Sequence, residues 1–158
     1  MKTKTLFALL LLITAPLFAE PIKLKVVDVI SLNQALSLLD GAQKVVPQGD
    51  APAKIVIVPY DFSGKTRWAI AQNLIALQPH AKAADDARNA LVKQIGGEAG
   101  GIKADDAAKI AKFTVAYNEL LIQPVTVELT KIPLADLKLD INALPPSVLA
   151  ILSPIIIP

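Results

Sequence analysis

The sequence predicts a small α+β domain, with a kinked long helix and an antiparallel partner helix packed on a small sheet of two or three short strands. Three observations carry this. Residues 66–95 hold an apolar stripe of helical period, residues 104–122 hold a second one, and residues 22–26, 54–58 and 125–129 have the alternation or β-branched runs of strands.

Residues 1–19 come first and read as a secretory leader rather than as part of the fold. A short basic stretch with Lys2 and Lys4 precedes the apolar run of residues 6–13, which Pro16 breaks, and Ala19 supplies the small residue before a cleavage point. A membrane-spanning helix needs about twenty apolar residues, and this run is far shorter. Cleavage would make Glu20 the first mature residue. The expected location is the periplasm, with a signal-anchored form in the inner membrane as the alternative, and the missing cysteine excludes lipid modification.

Removing nineteen of 158 residues leaves 139, the size of one domain, read here as residues 20–158 with an apolar C-terminal tail. The 16 basic residues lose Lys2 and Lys4 with the leader, and the remaining 14 balance 14 acidic ones. Zero net charge gives no electrostatic reason to favour nucleic acid or an anionic membrane as partner. The absence of cysteine removes disulfides, thiolate nucleophiles and zinc–thiolate sites.

Along the mature chain, residues 22–26 alternate apolar and basic side chains, as a half-exposed strand would. A helix starts between Asp28 and Ser31, places Leu32, Ala35, Leu36 and Leu39 on one face, and ends at Gly41 as a left-handed cap. Residues 43–52 read as a loop because Pro47, Gly49 and Pro52 interrupt any periodicity. Residues 54–58 (Lys-Ile-Val-Ile-Val) read as a short buried strand closed by Pro59.

The long helix is capped by Thr66 and carries its stripe on positions 70, 74, 77, 81, 84, 88, 91 and 95, with a kink expected at Pro79. Gly96, Gly97, Gly100 and Gly101 form the connection to the second helix, whose buried face is Ile110, Phe113, Tyr117 and Leu120. Pro124 ends that helix. Residues 125–129 then form a strand paired with one of the earlier two. Pro145 and Pro146 open a last short helix, and the tail at Ile155, Ile156 and Ile157 either tucks onto the core or offers a contact surface.

No constellation calls for a catalytic mechanism, a metal or a cofactor, and the expectation is a non-enzyme. Residues 59–66 sit between strand and helix like a phosphate loop, but Pro59 occupies a position that requires glycine, and proline has no amide hydrogen to offer a phosphate. His80 is the one histidine and reads as a surface or kink residue. Asp85–Asp86 and Asp105–Asp106 are helix neighbours pointing about 100° apart, so neither pair makes an acid/base couple. Asp105 and Asp106 suit a helix start with Lys109 as ion-pair partner, and Arg88 marks the stripe's emergence at the surface. One cluster reads as a candidate binding patch: Tyr60, Phe62 and Trp68 interleaved with Lys65 and Arg67.

Five segments carry a resemblance. Ser31-Leu-Asn-Gln-Ala-Leu-Ser-Leu-Leu-Asp-Gly41, Val58-Pro-Tyr-Asp-Phe-Ser-Gly-Lys-Thr-Arg-Trp68, Ala87-Arg-Asn-Ala-Leu91, Lys131-Ile-Pro-Leu-Ala-Asp-Leu137 and Leu144-Pro-Pro-Ser-Val-Leu149 resemble, in order along the mature chain, a family of small uncharacterised bacteriophage and prophage proteins. The resemblance implies a phage-encoded accessory or assembly protein and assigns no activity to any residue. Such proteins start near the position of Lys23 without a leader, so the leader here departs from their pattern and argues for action outside the cytoplasm. The sequence therefore leads to an exported protein acting through contact with an unknown protein partner, homo-oligomers included. The alternative is a periplasmic binding module or inhibitor for a small ligand. Contact with a large partner predicts an exposed apolar patch including the tail after Leu152, whereas a ligand binder predicts a concave pocket with convergent polar groups.

Overall fold

In the computed structural model, which describes residues 19–48, 51–97 and 101–158, the chain has the α+β architecture. Residues 1–18 of the leader expected over 1–19, part of the loop at 49–50 and Gly100 of the glycine connection lie outside the described residues, while Ala19, the last residue of that leader, opens the first strand. In order come β1 (Ala19–Lys25), α1 (Val26–Ser37), a 3-10 turn (Leu38–Asp40), β2 (Ala42–Gln48), β3 (Ala51–Val58), α2 (Gly64–Gly96) and α3 (Ala107–Leu121). After them follow β4 (Pro124–Thr130), β5 (Ile132–Pro133), a 3-10 turn (Leu134–Leu137), α4 (Pro146–Leu152), a 3-10 turn (Ser153–Ile155) and β6 (Ile156–Ile157). The strands pair as three separate two-stranded ladders, β1–β4, β2–β3 and β5–β6.

The β1–β4 ladder is antiparallel, and its register explains two prolines and a buried asparagine. Lys25 faces Pro124 and Ala19 faces Thr130. The Val26 amide, one step beyond, donates to the Gln123 carbonyl at 3.1 Å. Antiparallel pairs alternate between hydrogen-bonded and not. The pairs Leu24–Val125, Ile22–Val127 and Glu20–Leu129 therefore exchange hydrogen bonds, and the pairs between them turn their amides outward. Pro21 and Pro124 occupy outward positions, where the missing donor costs the ladder nothing. The outward amide of Lys25 finds Asp28 Oδ2 at 3.0 Å, so α1 starts directly from the strand at Val26 rather than between Asp28 and Ser31. The outward groups of Thr130 are both taken by Asn73 of α2. Its Nδ2 donates to the Thr130 carbonyl at 2.9 Å, and its Oδ1 accepts the Thr130 amide at 2.7 Å. Asn73 is buried, so this side chain closes the edge of β4 as a strand would.

The core forms where α1, α2 and β4 meet. Val29, Leu32 and Leu36 of α1, Ile70 and Leu77 of α2, and Val127 and Leu129 of β4 pack together, joined by Ile132, Leu137, Leu152 and Ile155. The α2 stripe is buried at Ile70, Leu77 and Ala84 and then emerges, with Arg88 exposed and 4.0 Å from Asp85. Its cap is Ser63, whose hydroxyl accepts the Thr66 amide at 3.1 Å, while Thr66 itself is buried one turn in. Helical assignment continues through Pro79 without a break. Gly97 has φ +80°, a left-handed conformation that glycine adopts without strain, and its amide caps α2 on the Lys93 carbonyl. Helix α3 packs back along α2 with Asp106 as its cap, but none of Ile110, Phe113, Tyr117 or Leu120 is fully buried. Phe113 and Tyr117 stack on each other at 5.4 Å instead.

The tail resolves in favour of the core. Ile155 is fully buried, Ile156 pairs with Ile132 in a parallel ladder, and Lys131 Nζ donates to the Pro154 carbonyl at 2.9 Å. The residues after Leu152 therefore do not form the exposed apolar patch that the sequence suggests.

The largest departure is residues 42–58. The expected loop is β2, and it makes a hairpin with β3 from Ala42–Val58 to Gln48–Ala51, with a register shift between Val46 and Gln48. Pro47 falls inside that irregularity, and Pro52 lies outside the paired positions, so neither interrupts a ladder bond. Gly41 is extended rather than left-handed, at φ 166°. It is small for a different reason: a Cβ there would lie 2.6 Å from the Val58 carbonyl oxygen at the base of the hairpin.

Candidate functional site

The structure divides the aromatic and basic cluster between two sides of the helix start. Helical rotation after Ser63 separates its members. Phe62 is buried and Tyr60 half-buried, with their rings 5.6 Å apart. Arg67 turns back onto the same loop, its Nη2 on the Tyr60 carbonyl at 2.8 Å and its Nε on the Phe62 carbonyl at 3.3 Å. Asn142, buried, ties that loop to the C-terminal segment, accepting the Asp61 amide and donating to the Leu137 carbonyl, both at 2.9 Å. Lys138 adds an ion pair to Asp61 at 3.0 Å, worth little because both side chains are solvated. The three residues with functional promise on this side thus hold the turn.

The same bonds dispose of a phosphate loop. The Asp61, Phe62 and Thr66 amides are already given to Asn142, Tyr60 and Ser63. Lys65 and Trp68 leave the cluster altogether. Trp68 is 67% exposed and, with Lys65, Gln72, Ala19 and Thr130, lines a shallow depression of about 290 Å³.

Two larger clefts flank the 3-10 turn after α1. One, of about 390 Å³, runs between α1 and α2, with Leu36, Leu39, Phe62, Ile70 and Leu74 as walls and Asp40 and Arg67 at its edge. The other, of about 400 Å³, lies between the hairpin base and the start of α4, with Leu38, Ile57, Tyr60, Leu144 and Val148 on its walls. Both are mainly apolar. Arg67, the one cation lining them among the described residues, has its guanidinium on backbone carbonyls of its own loop. His80 is half-buried, and no group of three His, Asp or Glu side chains among the described residues is placed to hold a metal. Lys82 sits on Asp86 at 2.6 Å, and that hydrogen bond and charge raise its pKa, but the pair is an exposed helical i,i+4 contact.

The hairpin is the unusual surface. Every described side chain of β2 and β3 is exposed. In β3, four successive apolar residues stand open: Ile55 at 62%, Val56 at 37%, Ile57 at 56% and Val58 at 45%. Alternate residues of a strand point to opposite faces, so both faces of the ribbon stand open among the described residues. Leu38 at the hairpin base extends the patch toward the second cleft, whose wall includes Ile57, and Val46 on β2 extends it toward the tip. A run of β-branched residues reads as a buried strand, and here it is a projecting one. The residues that sequence reasoning passed over as a candidate surface are therefore Ile55, Val56, Ile57 and Val58, since a β-branched run reads the same whether it is buried or exposed.

No protein family, curated protein or solved structure matches the chain. Fold and surface define it as an α+β protein with an uncovered apolar hairpin. No helix among the described residues is long and apolar enough to cross a membrane.

Proposed function

We propose that this is a non-enzymatic exported protein, of phage-derived type, that works by contact with another protein through its β2–β3 hairpin. The carrying observation is the exposed run Ile55–Val58 on a ribbon open on both faces. Isolated apolar side chains at a surface are ordinary, but a contiguous stretch on a projecting element costs solubility and is characteristic of interaction sites. The phage setting rests on the five resembling segments alone, and export rests on the leader pattern.

The contact reading is favoured over small-ligand binding because the exposed apolar run stands on a projecting ribbon, whereas the clefts set a few polar groups, Asp40, Gln43 and Tyr60 among them, in mainly apolar walls. The test is a photo-activated crosslinking amino acid placed at Ile57, with Asn89 on the exposed side of α2 as control position, in cells expressing the full gene. The expected result is a discrete protein adduct from position 57 and none from 89. Equal labelling at both positions, or no adduct at 57, would contradict the reading.

A further inference from the structure

The geometry points to a second copy of this chain as the occupant of the hairpin, paired antiparallel across the free edge of β3 about Val56. This deepens the reading of the hairpin as a contact surface and rests on it. The ladder β2–β3 has two strands, so among the described residues β3 is paired on one side only. Soluble proteins protect such an edge with charge, proline or a bulge. Here Lys54 stands at one end and Pro59 closes the other. Between them Ile55, Val56, Ile57 and Val58 carry no charge, glycine or proline. The outer edge of β2 is guarded differently, by Lys44 mid-strand and by the irregularity after Val46. A pairing that uses β3 from each copy therefore closes on itself instead of propagating.

The sequence of β3 selects the direction. In a two-fold antiparallel pair centred on Val56, Val56 meets Val56, each Ile55 meets an Ile57, and each Lys54 meets a Val58. Directly opposed β-branched side chains are the favourable cross-strand unit. The two Lys54 positions are then four residues apart along the strands, about 13 Å at the usual rise per residue, beyond the screening length of about 8 Å at physiological salt. A parallel in-register pair would instead set Lys54 beside Lys54, about 5 Å apart, and so is disfavoured. Within the hairpin Val56 faces Lys44, so each two-fold row reads Lys44, Val56, Val56, Lys44, with the two charges at its ends.

The two-fold position gives a test that general surface damage would not mimic. Val56→Lys puts two ammonium groups opposite each other on the axis, and Val56→Glu puts two carboxylates there. Each single variant is expected to weaken self-association roughly tenfold or more, whereas an equal mixture of the two should restore a one-to-one dimer. Val56→Glu also faces Lys44 within its own hairpin, so it keeps the ribbon folded if Val56→Lys does not. Sedimentation velocity and native mass spectrometry of protein expressed from the full gene read the outcome. Self-pairing is overturned by a wild type that stays monomeric at its highest soluble concentration, by single variants that still dimerise, or by a mixture that stays monomeric. A monomeric wild type with a heterologous crosslink at Ile57 would remove self-pairing and leave the contact reading standing. Loss of both removes both.

Discussion

Replacing Asn73 with leucine should destabilise the protein by about 3 kcal/mol, although the two side chains are close in size. Asn73 is 1% exposed and serves both backbone groups of Thr130. Leucine would leave an amide and a carbonyl buried beside it without partners, and each orphaned group costs on the order of 1–3 kcal/mol. Asn73→Asp keeps the acceptor for the Thr130 amide but sets a carboxylate against the Thr130 carbonyl. Burial and that contact favour the protonated acid in the folded state, so its folded pKa lies above the unfolded value. The variant should accordingly regain stability on acidification through that folded pKa, and lose it again as pH rises. Urea unfolding at several pH values checks both statements. Asn89→Ala, on the exposed part of the same helix, should shift stability by less than about 0.5 kcal/mol and serves as the control.

Deleting Pro154 to Pro158 should cost about 4 kcal/mol, a large share of the roughly 5–15 kcal/mol that holds a domain of this size together. Ile155 is fully buried against the core, and its loss leaves a cavity as well as forfeiting transfer energy. The deletion also removes the β6 partner of Ile132 and the carbonyl that receives Lys131. Ile155→Ala alone should account for about 3 kcal/mol of the total. Thermal unfolding of the two variants separates the packing loss from the ladder loss. A deletion that left the unfolding midpoint unchanged would mean that the tail is a surface appendage.

The elements easiest to read from the sequence were those whose stability is local. The α2 stripe through Ile70, Leu77 and Ala84, the acidic start of α3 at Asp106 with Lys109 as its ion-pair partner, and the strand ending at Leu129 follow from period and helix-start chemistry that involve only near neighbours. What escaped was set by tertiary context. Asn73 lies beside the apolar stripe and looks like an ordinary polar flank until Thr130 is brought to it. Gly41 resembles a helix cap, but its size is required by Val58, seventeen positions along the chain.

The hairpin was concealed twice. Pro47 and Pro52 suggested a loop, because a sequence does not show that both escape the paired positions. The run after Lys54 suggested burial, because a β-branched stretch looks the same whether its faces meet a core or face solvent. The candidate patch is divided for a geometric reason as well. Tyr60, Phe62 and Arg67 are neighbours in sequence to Lys65 and Trp68, but the helix start at Gly64 turns the two groups to different sides. Caps showed the same limit: Asp28 and Thr66 both have capping chemistry, yet the strand running into α1 and the serine at 63 fixed the actual starts.

The proposed contact role requires the hairpin's isoleucines to serve contact and not folding, and the unfolding free energy of Ile57→Ser tests that most directly. At 56% exposure, Ile57 should tolerate serine with a change of no more than about 0.5 kcal/mol in urea denaturation, while the crosslinking partner at the hairpin is lost. A loss of about 2 kcal/mol or more would show that Ile57 is packed inside the folded chain, and the uncovered hairpin, with the function built on it, would be wrong.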